Sequence, residues 1–484
     1  METFGGMTRT RWLLLGVTAA GAVLRFATLG GQSLWVDELV TGSLLHRDFV
    51  AMIHAIPSSE RTPYLYYVLA WIWTRLAGDG EFGLRSLSAL AGTATVPVAY
   101  LVGASLVTRR AGLVAAALVA VNPFLVWYSQ EARAYALVAF FTTLSLLFFA
   151  RALERRPRAL VWWAIACAAA LATHYFAVFL VAPEAVWLLV VGRRRRDTLL
   201  ALALPAAVLL GHAPLVVTQA GNAEGIDASA LATRVVGLVK DVTVGYSFPA
   251  EVPGTVVAAG LVAVGLALLV TRTPRRDRRG ALIALALVGV SILLPVALTF
   301  VGLDYVIARN AIVAVVPAAV ALAAGYASTR IGLAAAAALC GLSVAIVVSV
   351  ASNPLYGRTD WRGAAKTLSE ADGARAVVIT PPMTPDLWRP YIRGLAELDR
   401  PVAVREITVL GLATEGGFSG GAVVPPEARP KPPPPGFHLV QVVRRPTLTL
   451  VRYAARAPTR VSPVQLADLR LTDAPGRVLL QRAP

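Results

Sequence analysis

The chain has 484 residues, of which 57% are hydrophobic and only 15% are charged. So apolar a composition argues against a soluble protein of this length and indicates a polytopic membrane protein. The net charge of +17 would suit nucleic acid, but most arginines lie in short clusters between apolar stretches, as in the cytoplasmic loops of membrane proteins. No nucleic-acid partner is therefore expected.

The apolar stretches predict a mainly α-helical protein with about eleven membrane spans, several of them shorter than the ~20 residues of an ordinary span. Their approximate positions are 11–29, 84–106, 111–127, 135–152, 159–174, 175–192, 198–218, 253–271, 281–300, 311–328 and 331–351. Arg9 and Arg11 before the first span resemble the charged start of a secretory signal peptide. Because many spans follow, we expect an uncleaved first helix.

The arginine clusters predict the orientation in the membrane. With about eleven spans they all fall on one side, which the positive-inside rule makes cytoplasmic. The clusters are Arg9 and Arg11, Arg109 and Arg110, Arg151–Arg158, Arg193–Arg196, Arg272–Arg279, and Arg330. The N-terminus is then cytoplasmic and the C-terminal region is extracytoplasmic. The composition, rich in alanine and arginine and poor in lysine, is typical of a bacterial protein, so we expect the bacterial cytoplasmic membrane.

The sequence predicts two domains, a transmembrane domain at 1–351 with a long outer loop at 30–83, and a small extracytoplasmic α/β domain at 352–484. Amphipathic helices on the membrane surface are predicted for this loop at Glu38–Met52 and Tyr64–Leu76. In the C-terminal domain, helices are predicted at Asp360–Ala371, with Asp360 as N-cap, and at Pro385–Leu395. Strands are predicted at Ala376–Thr380, Val402–Val409, His438–Arg444 and Thr447–Tyr453.

Two polar clusters stand out among the apolar stretches. Asp37 and Glu38 follow the first span, and adjacent acids at the mouth of a membrane bundle are costly unless they do chemistry or bind a ligand. The second cluster, Tyr128–Tyr135, contains Glu131 and Arg133 in a very short loop. The predicted topology places both clusters outside, which suggests an active site at the outer membrane surface. The alternatives are a helix N-cap for Asp37 and a structural Glu131–Arg133 pair.

Several patches resemble the GT-C superfamily of membrane glycosyltransferases, in the branch of protein O-mannosyltransferases and lipid A aminoarabinose transferases. In chain order they are Leu24–Phe26 leading into Leu34–Glu38, Arg61–Tyr67, Phe82–Ser88, Asn122–Tyr135, Thr173–Tyr175, Asp304–Asn310 and Asp360–Ala365. Together they run through most of the chain. At Arg61 and Thr62 the sequence departs from the family's His-Pro-Pro-Leu-Tyr stretch.

The resemblance implies transfer of a sugar from a polyprenyl-phosphate donor to a hydroxyl of a glycan, lipid or protein acceptor, with inversion, at the outer membrane face. Such a reaction needs a carboxylate that takes the acceptor's proton. Asp37 is the candidate base, and Glu131 is a second candidate acid. The leaving group is a lipid phosphate, so cations should stabilise its developing charge. Arg133 and Arg309 are the candidates, although an arginine beside a span is also an ordinary interfacial anchor.

Three further residues are candidate substrate contacts. Glu38 is one, and its alternative is a solvated position on a helix face. His174, at the end of the fifth span, is another, and its alternative is a structural role at a helix end. Tyr64 is the third, and its alternative is an ordinary interfacial aromatic. Asp37, Glu38 and His174, with Glu131, could also hold a divalent cation, although their spacing does not require one.

Two other classes of function compete with the glycosyltransferase. A transporter or lipid flippase should have ionisable residues at mid-bilayer depth and often repeated halves. Here most acids lie in outer loops and no repeat is visible. A membrane scaffold would tolerate replacement of Asp37, Glu131 and Arg133. The sequence indicates neither the sugar nor the acceptor.

Overall fold

The computed structural model describes residues 4–191, 195–220, 229–368, 373–392, 394–413, 424–426, 429–472 and 474–482, the side chains of 4–8 and 220 excepted. Arg193 and Arg194 of one predicted cytoplasmic cluster therefore lie outside the described residues. The chain is mainly helical and divides into two compact units. The first unit comprises 1–29 and 44–349, and the second comprises 30–43 and 350–484. The early segment 30–43 thus belongs to the same unit as the C-terminal region.

Sixteen of the described helices precede the C-terminal sheet region. They are α1 Phe4–Phe26, α2 Val36–Leu45, α3 Phe49–Ser59, α4 Leu65–Ala77, α5 Glu81–Leu106, α6 Arg109–Val121, α7 Pro123–Ser129, α8 Tyr135–Leu153, α9 Ala159–Thr173, α10 Val178–Val190, α11 Arg195–Ala220, α12 Leu231–Val244, α13 Glu251–Thr271, α14 Arg275–Thr299, α15 Val315–Ala327 and α16 Arg330–Ser352. Short 3₁₀ helices lie at Tyr175–Ala177, Ala308–Ala314 and Pro354–Tyr356.

Within the described ranges, seven helical segments are long and apolar enough to cross a membrane, which makes the chain a multi-pass membrane protein. They are α5, α8, α11, α13, α14, α16 and the segment Ala308–Ala327 that contains α15. Helices α6 and α7 together would form one more span, bent by 57°. The predicted spans at 159–174 and 175–192 correspond to shorter apolar helices. The predicted count of about eleven is therefore not confirmed.

The bend between α6 and α7 follows from the Asn122-Pro123 pair. A residue before proline is disfavoured in the α conformation, so α6 ends at Val121. The Asn122 side chain then accepts a hydrogen bond from the amide of Leu125 at 2.9 Å, and Pro123 occupies the first turn of α7. Tyr128 and Ser129, the last residues of α7, begin the polar Tyr128–Tyr135 cluster.

Helices α8, α9 and α10 enclose a buried carboxyl group. Glu184 on α10 is fully buried. Its two oxygens accept hydrogen bonds from Trp163 Nε1 at 2.9 Å and from Ser145 Oγ at 3.3 Å. A polar group inside an apolar bundle needs such partners, so these contacts tie the three helices together.

The second unit contains a mixed six-stranded sheet. Its elements are α17 Trp361–Leu368, β1 Arg375–Thr380, α18 Pro385–Trp388, β2 Leu395–Glu397, β3 Val402–Leu412, β4 Phe437–Arg445, β5 Leu448–Val461, α19 Pro463–Ala467 and β6 Arg477–Gln481. The strand order is β2-β6-β1-β3-β5-β4, in which β1 and β3 are parallel and the other pairs are antiparallel. Buried side chains from β1, β3 and β5 form much of its core. The predicted small α/β domain is confirmed.

Strands β1, β3, β4 and β5 match the four predicted strands, and Asp360 Oδ1 accepts from the amide of Gly363 at 2.8 Å, as expected of a cap. Residues 369–371 of that predicted helix lie outside the described residues. The predicted helix Pro385–Leu395 is wrong beyond Trp388, because Leu395 pairs with Gln481 in the sheet. The predicted helix at Glu38–Met52 is divided into α2 and α3, since the Asp48 side chain caps a new helix by accepting from Ala51 N.

Candidate active site

The loop between α7 and α8 is buried in the first unit. Glu131 is 2% exposed and Arg133 is 8% exposed. Arg133 Nη1 lies 2.7 Å from Oε2 of Glu60, a buried acid that follows α3, 73 residues earlier in the chain. A buried guanidinium requires such a partner, because desolvation of an unpaired charge is very costly. Glu60 was missed in the sequence, where it resembles a solvated loop acid.

The pair of Glu60 and Arg133 extends into a hydrogen-bonded network at the start of α4. Tyr67 interacts with the Glu60 carboxylate, and the hydroxyls of Tyr67 and Thr62 are 2.8 Å apart. Burial raises the pKa of Tyr67 well above its usual value, which keeps its hydroxyl protonated and able to donate. Thr62 is one of the two positions where the sequence departs from the family pattern, and its hydroxyl thus has a hydrogen-bond partner in Tyr67.

His174 lies where α9 ends and a 3₁₀ turn begins, and it is buried. Its Nδ1 accepts a hydrogen bond from the amide of Phe176 at 3.3 Å, and its ring lies 5.5 Å from that of Tyr135. Arg309 and Arg133 are both close enough to act electrostatically on the imidazole. The structure therefore brings the two predicted phosphate-binding arginines and the predicted histidine together.

Arg309 is half-buried in the 3₁₀ helix Ala308–Ala314. It acts electrostatically on the phenols of Tyr128 and Tyr246, and Glu131 acts on the same two groups. We call Glu60, Tyr128, Glu131, Arg133, His174, Tyr246 and Arg309 the polar cluster of the first unit. Four of its members were predicted from the sequence, and they come from three separate breaks between helices.

Tyr64 lies beside this polar cluster, immediately before α4. It is half-buried, its ring centroid is 6.0 Å from that of His212, and it interacts with Tyr175, the neighbour of His174 in the chain. The position suits a contact with a bound substrate as well as an interfacial aromatic.

Asp37 lies in the second unit, in the first turn of α2. It is half-buried, and among the described residues nothing forms a hydrogen bond or ion pair with its carboxylate. Because α2 begins at Val36, Asp37 is inside the first turn and not at the N-cap, which was the alternative role considered for it. The N-terminus of a helix favours a negative charge, so the carboxylate suits this position.

Glu38 has a different environment from its neighbour Asp37. It is fully buried, and its Oε2 lies 2.9 Å from Arg358 Nη1 and accepts from the amide of Trp35 at 3.2 Å. The bond to Trp35 is that of the glutamate in a capping box. Gln32 Oε1 also accepts from the Arg358 amide at 3.0 Å. These contacts give Glu38 a structural role inside the second unit.

Across the described ranges, no group of three or more His, Cys, Asp or Glu side chains is arranged to hold a metal ion. The cation site suggested for Asp37, Glu38 and His174 stays a prediction.

Residues 61–218 match the model of a family described as dolichyl-phosphate-mannose-protein mannosyltransferase. The matched range contains Tyr64, Glu131, Arg133 and His174. This match confirms the resemblance to GT-C membrane glycosyltransferases that the sequence patches indicated. No curated protein shows significant similarity to the chain.

Solved structures are also similar to this chain. The apo form of ArnT from Cupriavidus metallidurans is 18% identical, with a TM-score of 0.48, and the match covers 66% of this chain and 60% of ArnT. An oligosaccharyltransferase from Archaeoglobus fulgidus, tethered to an acceptor peptide, is 13% identical with a TM-score of 0.48, covering 75% of this chain and 57% of that one. ArnT bound to undecaprenyl phosphate is 19% identical with a TM-score of 0.44, covering 72% and 67%. The chain thus spans 60% and 57% of the first two proteins. Similarity at this level assigns no activity.

Proposed function

We propose that this protein is an inverting glycosyltransferase that moves a sugar from a polyprenyl-phosphate donor to an acceptor hydroxyl at the outer face of a bacterial cytoplasmic membrane. The observation that carries the proposal is the approach of Arg133 and Arg309, from distant parts of the chain, to one imidazole, His174. Two arginines gathered inside a membrane protein suit a lipid-linked phosphate. The family match over 61–218, which includes Arg133 and His174, supports a glycosyltransferase.

We assign phosphate binding to Arg133 and Arg309 together. The Glu60 carboxylate fixes Arg133 in position and offsets part of its charge. Arg309 is half-buried and carries five N–H donors in a planar array that suits phosphate oxygens. In such a partly desolvated site, both guanidinium groups would stabilise the charge that grows on the leaving phosphate.

In the proposed reaction, the acceptor oxygen forms a bond to the anomeric carbon while the bond from that carbon to the phosphate oxygen breaks. The electron pair of the broken bond stays on the polyprenyl phosphate, and the acceptor proton passes to a carboxylate. We propose Asp37 as this base, since no partner among the described residues occupies its oxygens. Glu131 is the second proposed acid.

His174 and Tyr64 are proposed substrate contacts. Since Nδ1 of His174 accepts a hydrogen bond from Phe176, a neutral ring carries its proton on Nε2. This N–H could donate to a phosphate or sugar oxygen. The half-buried Tyr64 ring could pack against the donor. Glu38 is not among the proposed contacts, because its carboxylate holds Arg358.

The test uses purified full-length protein, a panel of undecaprenyl-phosphate hexoses and pentoses, and a mixed extract of cell-envelope acceptors, with and without a metal chelator. The measured quantity is release of undecaprenyl phosphate. We expect release from one donor class, and a loss of roughly 10²- to 10⁴-fold in Asp37→Asn, the range for general base catalysis.

The matched control is Asp79→Asn, since Asp79 is an exposed acid whose side chain is 67% accessible. Equal release from Asp37→Asn and wild type would remove Asp37 as the base, and Glu131→Gln, assayed in parallel, would then test the second acid. A wild-type protein that neither binds undecaprenyl phosphate nor releases it from any donor would contradict the proposed function.

A further inference from the structure

Tyr246 lies between α12 and α13, outside every patch that the sequence analysis singled out. Its hydroxyl nevertheless contacts the hydroxyl of Tyr128, 118 residues away in the chain. Its ring centroid is 5.7 Å from that of Phe124 and 6.1 Å from that of Trp127. The outer loop that follows α11 thus contributes a side chain to the polar cluster of the first unit.

The contact between the phenols of Tyr128 and Tyr246 leaves one of the two O–H groups able to donate a hydrogen bond to a ligand. One hydrogen bond between the hydroxyls of Tyr128 and Tyr246 uses a single O–H, so the second O–H can serve another acceptor. Burial raises the pKa of Tyr246, which keeps this group protonated. Arg309 acts electrostatically on both tyrosines. A neutral O–H donor therefore lies near a cation, and these two kinds of group bind phosphate oxygens together.

The backbone around Tyr246 is fixed from two sides. Lys240 Nζ donates to the carbonyl oxygen of Tyr246 at 3.2 Å and forms ion pairs with Asp241 at 2.7 Å and Glu251 at 2.9 Å. The Asn122 side chain donates to the carbonyl oxygen of Val242 at 3.0 Å. Lys240 is thus a candidate positioning residue, which would act through the placement of Tyr246.

Gly245 allows the chain to turn directly before Tyr246. Its φ is +84° and its ψ is −171°, a region that is essentially restricted to glycine. A Cβ on this residue would lie 3.0 Å from Pro123 Cβ at the start of α7. The segment therefore approaches the bend between α6 and α7 too closely for a larger residue.

We propose that the Tyr246 hydroxyl binds the phosphate of the polyprenyl-phosphate donor beside Arg309, and that Lys240 positions it. This inference rests on the proposed function and adds to it a donor from the 229–252 region of the outer loop. Tyr128 supplies the partner hydroxyl, and the ring contacts with Phe124 and Trp127 fix the orientation of the phenol.

The test is equilibrium binding of undecaprenyl phosphate and of undecaprenol, its uncharged alcohol, to purified full-length variants. Tyr246→Phe keeps the ring and removes the hydroxyl. We expect roughly tenfold to hundredfold weaker binding of undecaprenyl phosphate, the range for a hydrogen bond to a charged group, and unchanged binding of undecaprenol. Tyr326→Phe is the matched control, because its hydroxyl donates to the Leu261 carbonyl at 2.9 Å. Its affinity should equal that of wild type.

Lys240→Gln tests the positioning role. We expect weaker binding of undecaprenyl phosphate by Lys240→Gln, and no further loss when the change is made in Tyr246→Phe, because the two residues act through one hydroxyl. If the losses of binding free energy in the two single variants added in full in the double variant, the positioning role of Lys240 would be overturned. Wild-type affinity in Tyr246→Phe, or an equal loss in Tyr326→Phe, would overturn the role of Tyr246. Wild-type protein that binds no undecaprenyl phosphate would overturn the proposed function itself.

Discussion

A buried glutamate–arginine pair occurs in both units. Glu60 and Arg133 are 2.7 Å apart in the first unit, and Glu38 and Arg358 are 2.9 Å apart in the second. All four side chains are at most 9% exposed. Distance and burial alone therefore do not distinguish the two pairs.

The neighbours of the two pairs differ. Arg133 acts on His174, as does a second arginine, Arg309, and tyrosine hydroxyls lie nearby. Glu38 accepts from a backbone amide and closes the turn before α2. A buried ion pair thus occurs both in a structural contact, Glu38–Arg358, and in a candidate site, Glu60–Arg133. The second cation and the hydroxyl donors near Arg133 distinguish the candidate site.

The largest expected effect is that of Arg133→Met. Loss of the guanidinium leaves the buried Glu60 carboxylate without the Arg133 cation, which should cost about 3–5 kcal/mol of stability and abolish measurable binding of undecaprenyl phosphate. Thermal unfolding in detergent and equilibrium binding measure the two effects. The double variant Glu60→Gln with Arg133→Met removes both charges, so it should regain much of the stability without regaining binding. Wild-type binding by the double variant would contradict the assignment.

Glu38→Gln should also destabilise the protein, by about 3 kcal/mol, because it leaves Arg358 buried beside a neutral amide. Its affinity for undecaprenyl phosphate should match that of wild type, which would separate the structural pair from the candidate site. Glu397→Gln is the control, since its pair with Arg477 is 45% and 37% exposed and should contribute less than about 1 kcal/mol. Weaker binding by Glu38→Gln at full stability would make Glu38 a substrate contact.

Gly245→Ala should cost about 1–3 kcal/mol, since alanine is strained at this φ and ψ and its Cβ meets Pro123. Binding of undecaprenyl phosphate should weaken with it, because Tyr246 moves. Gly237→Ala is the matched control: Gly237 lies inside α12 and an added Cβ would meet no atom within 4 Å. It should be neutral or slightly stabilising. Unchanged stability and binding in Gly245→Ala would show that the turn adapts.

The smallest expected effect is a pH dependence at Asp304. Two hydrogen bonds from Arg234, at 2.7 and 2.6 Å, lower the pKa of Asp304 below its usual value. Its contribution to stability is therefore present above the ordinary aspartate pKa of about 3.9 and disappears as the pH falls through the lowered folded-state pKa. The difference in Tm between wild type and Asp304→Asn should thus be constant from pH 7 to 5 and shrink below pH 4. A constant difference down to pH 3 would contradict the ion pair.

The sequence predicted those parts of the candidate site that depend on local pattern and on family resemblance. Arg133, His174 and Arg309 lie at breaks between apolar stretches, where a polar residue is conspicuous. Glu60 was missed because its role depends on a contact across 73 residues, although it directly precedes the Arg61–Tyr67 patch. Tyr246 was missed because a tyrosine in a predicted outer loop is usually an interfacial aromatic.

The fold, like the site, was predictable where it depends on local sequence and not where it depends on contacts between distant residues. Runs of residues that favour strands, at Val402–Val409 and Thr447–Tyr453, predicted β3 and β5, whereas β2, with three residues, is too short to leave a pattern. The place of residues 30–43 in the second unit depends on contacts such as Glu38–Arg358, far apart in sequence. Local sequence patterns carry no information about such contacts.

The carboxyl group of Glu184 has a consequence for biogenesis. Helix α10 is short, and a carboxyl group near the middle of a membrane helix adds about 3 kcal/mol to the free energy of insertion. The donors that offset this term, Ser145 and Trp163, are synthesised earlier, on α8 and α9. We therefore expect α10 to leave the translocon only after it has packed against α8 and α9, which the ribosome has already delivered. The three helices would enter the membrane as one assembled intermediate.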